Sequence, residues 1–196
     1  MKICSETDIQ QKKVRNTRND RILTFALWFT GLPCSGKSTI AKLLKEKIPN
    51  IEILDGDILV KQLKLDNWSK DSRIKHSEKV AELANSFLEK GISICVAKIS
   101  PFEEMRVTAK NMMKEHQFFE VFVDAPLEIC EKRDVKGMYK EARNGKLENF
   151  CGVNEKFEIP KNPDLILNTE KYSVEENIKE LILFLKEKKL IHEFEF

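Results

Sequence analysis

The sequence predicts an α/β fold of three layers, a five-stranded parallel sheet between helices, with a basic lid over one end. Two observations predict it. Apolar, β-prone runs alternate along the chain with segments of helical periodicity, which is the pattern of parallel βαβ units. The first of these runs, Leu27-Trp28-Phe29-Thr30, breaks into Gly31-Leu32-Pro33-Cys34-Ser35-Gly36-Lys37-Ser38-Thr39, which satisfies G-x-x-x-x-G-K-[ST] and opens a helix. That loop makes the expected fold the P-loop NTPase one.

The elements follow in order. The run 22–30 reads as a fully buried central strand. Ile40, Leu43, Leu44 and Ile48 keep helical spacing from Ser38 to about Lys47, and Pro49-Asn50 ends that helix. A short strand at 51–54 runs into Asp55-Gly56-Asp57. Ligands of parallel sheets sit at the carboxyl ends of strands, so Asp55 stands beside the loop if its strand neighbours the first. Asp71 to Lys90 carries Val80, Leu83, Ala84, Phe87 and Leu88 at helical spacing, closed by Gly91. Trp68, in the polar stretch before it, is either a packing plug or a stacking platform.

A buried strand at 92–97 ends in Lys98-Ile99-Ser100-Pro101-Phe102, with Pro101 suited to the first turn of the helix carrying Arg106 and Met113. The fourth strand, 118–123, delivers Asp124-Ala125-Pro126 and a short helix through Ile129 and Cys130 to Arg133. Next comes a basic stretch with few core residues, about 132–152, containing Lys132, Arg133, Lys136, Lys140, Arg143, Lys146 and Phe150. A charge run is usually a solvated face. After a strand's carboxyl end, with Gly137 and Gly145 as flexible points, it suits a lid that excludes water. The fifth strand is 164–169, and a last amphipathic helix presents Ile178, Leu181, Ile182 and Leu185.

Composition narrows the function classes. The chain of 196 residues suits one domain, 23–196, with a polar and mostly basic extension at 1–22. A net charge of +2 argues against a dedicated nucleic-acid binder. No apolar run approaches the ~18 residues that span a membrane. Five scattered cysteines form no C-x-x-C pair, so reduced thiols and a cytoplasmic location are expected.

The loop names the chemistry. Its glycines let backbone N–H groups turn onto phosphate oxygens, Lys37 neutralises the β/γ-phosphates, and the Ser38 hydroxyl ligates Mg²⁺. The expected cofactors are therefore ATP and Mg²⁺. Asp-Gly-Asp alone is an ordinary turn, but below a phosphate loop a carboxylate there suits holding Mg²⁺ through water or taking a proton from an attacking hydroxyl.

From about Ala26 to Thr169 the chain resembles the adenylylsulfate kinases, which phosphorylate the 3′-hydroxyl of adenosine 5′-phosphosulfate. The resemblance rests on Trp28-Phe29-Thr30-Gly31-Leu32 with the phosphate loop, on Leu54-Asp55-Gly56-Asp57, and on Ile99-Ser100-Pro101-Phe102 with Arg106. It is strongest from Phe122-Val123-Asp124-Ala125-Pro126-Leu127-Glu128 through Arg133-Asp134, Lys136-Gly137, Tyr139-Lys140, Ala142-Arg143, Phe150 and Gly152 to Glu158, Pro160, Asn162-Pro163 and Thr169. It implies a P-loop kinase domain in which residues 31 to 39 and Arg133 bind ATP, with Ser38 and Asp55 around Mg²⁺. Asp55 would orient or deprotonate the acceptor hydroxyl, with Asp57 the less favoured choice and Lys37 the third catalytic group. Arg73 would meet the substrate's anionic end, Trp68 and Phe150 would sandwich its base, and His76, Ile99, Ser100 and Lys136 would complete the substrate site. A small nucleotide is the implied partner and a homodimer the implied assembly. Val60, His76 and Glu103 depart from the family's usual arginine, asparagine and arginine. Those departures leave open another modified nucleotide as acceptor, for example a cytidine diphosphate derivative; a non-catalytic nucleotide-binding module is the remaining alternative.

Overall fold

A computed structural model describes residues 24–62 and 68–191, so the extension expected at 1–22 lies outside the described residues. Among the described residues five strands alternate with seven helices: β1 Phe25–Thr30, α1 Lys37–Lys47, β2 Ile51–Asp55, α2 Gly56–Gln62, α3 Lys70–Glu89, β3 Ser93–Ala97, α4 Glu103–Met112, β4 Gln117–Asp124, α5 Leu127–Arg133, α6 Met138–Arg143, β5 Leu165–Asn168 and α7 Val174–Glu187. The sheet is wholly parallel, in the order β2-β3-β1-β4-β5.

That order decides a point the sequence leaves conditional. β2 is not the neighbour of β1, because β3 lies between them, pairing Asp55 with Ala97 and Ala97 with Phe29. Asp55 is therefore level with the end of β1 but two strand spacings away, about 10 Å. The gap leaves room for a ligand between carboxylate and loop.

The central strand is apolar throughout because both its faces are covered. Phe25, Leu27 and Phe29 pack with Ile40, Leu44, Leu181 and Leu185 of α1 and α7, whereas Ala26 and Trp28 pack with Val80, Ala84 and Ala109 of α3 and α4. The period of two in β1 thus sorts its side chains into two helical layers. Trp28 is fully buried, and its indole N–H donates to Ser100 Oγ at 3.0 Å. Helix starts are capped locally: Ser69 Oγ accepts from the Ser72 N–H, and Ser173 and Glu176 form a reciprocal capping box.

Three local readings change. The chain continues from Asp55 into α2 rather than a plain turn, since Asp55 Oδ1 accepts the Asp57 N–H at 2.9 Å and starts the helix. Pro101 precedes Phe102, the residue that caps α4, rather than standing in that helix's first turn. The lid has a core of its own, with Cys130, Tyr139, Ala142 and Phe150 buried together beneath its basic exterior.

Candidate active site

The loop after β1 is shaped by close approach. Gly31 has φ 151°, and a Cβ there would stand 2.4 Å from the Val123 carbonyl oxygen. Gly36 caps α1 in the left-handed region, at φ 105°. Arg133 ties the loop to the far strand, donating to the Cys34 carbonyl at 3.2 Å and to the Thr169 carbonyl at 2.6 Å. Thr169 Oγ1 in turn donates to the Ser35 carbonyl at 2.7 Å. The Lys37 ammonium is buried and donates to the Gly31 and Leu32 carbonyls at 2.8 and 2.6 Å and to Ser35 Oγ at 3.2 Å. Burial lowers its pKa to about 8, against the pull of Cys130, Asp57, Cys34 and Cys151.

A cavity of about 730 Å³ opens in front of this loop. Its wall is formed by Pro33, Cys34, Gly36, Lys37, Ser38 and Thr39 of the loop and the start of α1 with Arg133, and by Asp55, Asp57, Trp68, Arg73, Ile99, Lys136 and Phe150. Arg73 is buried, with Nε donating to the Trp68 carbonyl at 2.9 Å and NH2 to the Asn149 carbonyl at 2.6 Å. Its guanidinium also lies over the Trp68 ring, 4.9 Å from the centroid. One side chain thereby joins the start of α3 to the end of the lid. Phe150 meets Tyr139 edge-on at 4.9 Å, and the Tyr139 hydroxyl donates to the Pro33 carbonyl at 3.0 Å. The two carboxylates differ: Asp55 is half-buried, whereas the exposed Asp57 is ion-paired with Lys136 of the lid.

Five expected site residues lie elsewhere than on the cavity wall. Gly31 and Ser35 shape the loop from behind, and Leu32 packs into the lid core. Ser100, expected on the substrate, is fully buried at φ 44°; its hydroxyl accepts the Trp28 indole and its carbonyl accepts Arg106 at 2.9 Å. His76, also expected on the substrate, is buried with neither ring nitrogen hydrogen-bonded. Its pKa falls to about 4, through burial first and the Lys98 cation second, against a weaker pull from the Leu59 backbone. Of the other departures, Val60 lines the cavity, while Glu103 sits outside it, facing Lys161 at 3.4 Å.

Lys98, Thr169, Tyr172 and Ser173 line the cavity without having been singled out. Lys98 follows directly on the carboxyl end of β3, and the same strand-end rule that marked Asp55 points to it. Thr169 carries the family likeness but no local sign of its role, because its contact to the loop spans 134 residues. The donor set suits Mg²⁺, since the Ser38 hydroxyl and the Asp55 carboxylate open on one cavity, and this ion is commonly held by one or two protein oxygens beside substrate phosphates.

Comparison with known proteins gives one family. The profile described as Adenylylsulphate kinase matches residues 23–168. An adenylyl-sulfate kinase of Bacteroides thetaiotaomicron is 42% identical over 161 residues, 80% of each chain. One from Clostridium acetobutylicum is 37% identical over 190 residues, 93% of this chain and 94% of the relative. Among solved structures, the Mycobacterium tuberculosis APS kinase CysC in complex with AMPPNP and APS superposes with a TM-score of 0.80. It is 36% identical and covers 84% of this chain and 98% of its own.

Proposed function

Because this chain belongs to the adenylylsulfate kinase family, we infer that it transfers the γ-phosphoryl group of ATP to the 3′-hydroxyl of adenosine 5′-phosphosulfate, giving 3′-phosphoadenosine 5′-phosphosulfate and ADP. One observation carries the reading on this chain's own residues. A single cavity is lined by the phosphate loop together with Asp55, an arginine, Arg73, and two large aromatic rings, Trp68 and Phe150.

The ATP phosphates lie along the backbone N–H groups of Cys34 and of residues 36 to 39, which face the cavity, with Lys37 and Arg133 bearing on their charge. Ser38 and Asp55 would hold Mg²⁺, which would supply charge stabilisation on the phosphate oxygens. Trp68 and Phe150 take the faces of the acceptor base, and Arg73 meets its phosphosulfate. Asp55 aligns the 3′-hydroxyl and accepts its proton as the new O–P bond forms and the bond to ADP breaks. Lys136, paired with Asp57, draws the lid toward α2, so that water is excluded and the phosphoryl group passes to the hydroxyl. A homodimer and a cytoplasmic location belong to the same proposal, on the family likeness.

ADP release at saturating MgATP tests the activity, and no dependence on adenosine 5′-phosphosulfate would sink it. The roles of the carboxylates are tested separately. Asp55→Asn should lower kcat by about 10²–10⁴-fold, the usual worth of a positioned general base. Asp57→Asn should cost far less and should act on lid closure; equal losses in the two variants would contradict the assignment.

A further inference from the structure

Lys98 is a buried cation that the mechanism above leaves unused. It is 9% exposed, and no described carboxylate lies within ion-pair distance of it. A charged group in that setting is costly unless something anionic meets it. The strand alternation says which end of the cavity it serves. Ile94 and Val96 of β3 pack into the α3–α4 layer, and Lys98 continues that face, away from the α1 layer that carries Lys37. The stem lies close to Gly56, where an added Cβ would be 3.4 Å from Lys98 Cγ. The titratable groups facing it are Arg73 and the neutral His76 ring of α3 and the thiol of Cys151, which follows Phe150. Asp55, on the neighbouring strand, is paired in register with Ala97. Two cations, Arg73 and Lys98, therefore stand together on the wall of one cavity, near Trp68 and Phe150.

We propose that Lys98 is a second cationic anchor for the acceptor, which with Arg73 grips the phosphosulfate group of the bound nucleotide. The inference rests on the kinase reading and deepens it. It also accounts for Val60, an apolar side chain on the same wall where the family usually places an arginine: the positive charge comes from β3 instead of α2. Burial, and then Arg73, bring the Lys98 pKa down to about 7. Its charge is therefore lost as the pH rises through that region. The phosphosulfate has no proton to lose there, so the acceptor's affinity carries the titration.

The test measures KM for adenosine 5′-phosphosulfate and for ATP from pH 6 to 9, on the full chain and on Lys98→Met and Lys98→Arg. Lys98→Met should raise the acceptor KM by about tenfold or more at pH 6, the worth of a charge-assisted hydrogen bond, with the ATP KM within about twofold. The acceptor KM of the parent should climb toward pH 9. That climb should vanish in Lys98→Met and in Lys98→Arg, with Lys98→Arg keeping the lower KM at high pH. An acceptor KM unchanged in Lys98→Met, or an equal rise in both KM values, overturns the proposal. Calorimetric binding of adenosine 5′-phosphosulfate without ATP separates this from the activity itself. Binding that weakens in Lys98→Met supports the anchor even in a chain without turnover, and binding indifferent to the substitution overturns it.

Discussion

His76 is a titratable ring placed where burial and the Lys98 cation disfavour its proton. Its folded pKa of about 4 lies below the ordinary value of 6.5. Between those two values the unfolded chain binds the proton and the folded one does not, so stability is lost as the pH falls from about 6.5 to about 4. The loss attributable to this residue is on the order of 3 kcal/mol. His76→Leu should flatten the dependence of urea stability on pH in that window, and an unchanged slope would mean the ring is not neutral in the fold. Residues of this kind separate what a sequence discloses from what it hides. The phosphate loop was legible because all of its groups are consecutive. Asp55 was legible because it ends a strand. His76 and Ser100 read as substrate contacts on family likeness, yet side-chain direction depends on packing. Ser100 is turned to the Trp28 indole and His76 is sealed within α3's buried face.

At the scale of elements, the lid is the part the sequence describes least well. Its residues are mostly charged, yet α6 is anchored by the buried side of Tyr139, whose ring meets Phe150 and whose hydroxyl reaches Pro33 in the loop. Asp134 accepts the Tyr139 and Lys140 N–H groups at 3.0 Å and so caps the start of that helix. The lid is thus fastened to the loop, not only attracted to phosphates. Tyr139→Phe removes the hydrogen bond and keeps the ring, and should cost about 1 kcal/mol of stability with the acceptor KM nearly unchanged. Tyr139→Ala also frees Phe150 and opens the lid core, so it should destabilise by about 3–5 kcal/mol and raise the acceptor KM. Thermal melts and steady-state kinetics on the pair check both. If Tyr139→Ala left the acceptor KM untouched, Phe150 would have no part in holding the base.

For the whole molecule, the cavity exists only when the phosphate loop, α1, β2, α2, α3, the end of β3, the lid and the start of α7 are assembled, because each contributes to its wall. A nucleotide bound there recognises the folded chain alone. MgATP at 100 times its Kd should therefore add about 2.7 kcal/mol. For a chain of this size that raises Tm by about 5–10 °C, and a Lys37→Ala chain should show much less of it; an equal rise in that variant would place the nucleotide away from the loop. By itself the sequence determined the alternation of strands and helices, the phosphate loop and the family, because each rests on local periodicity or consecutive residues. The tertiary structure alone decided that β3 separates Asp55 from the loop. It also decided that Thr169 and Arg133 brace the loop, and that Lys98 stands with Arg73 on the cavity wall. The physical reason is the same in each case: strand order and the inward or outward direction of a side chain are set by which apolar faces bury one another.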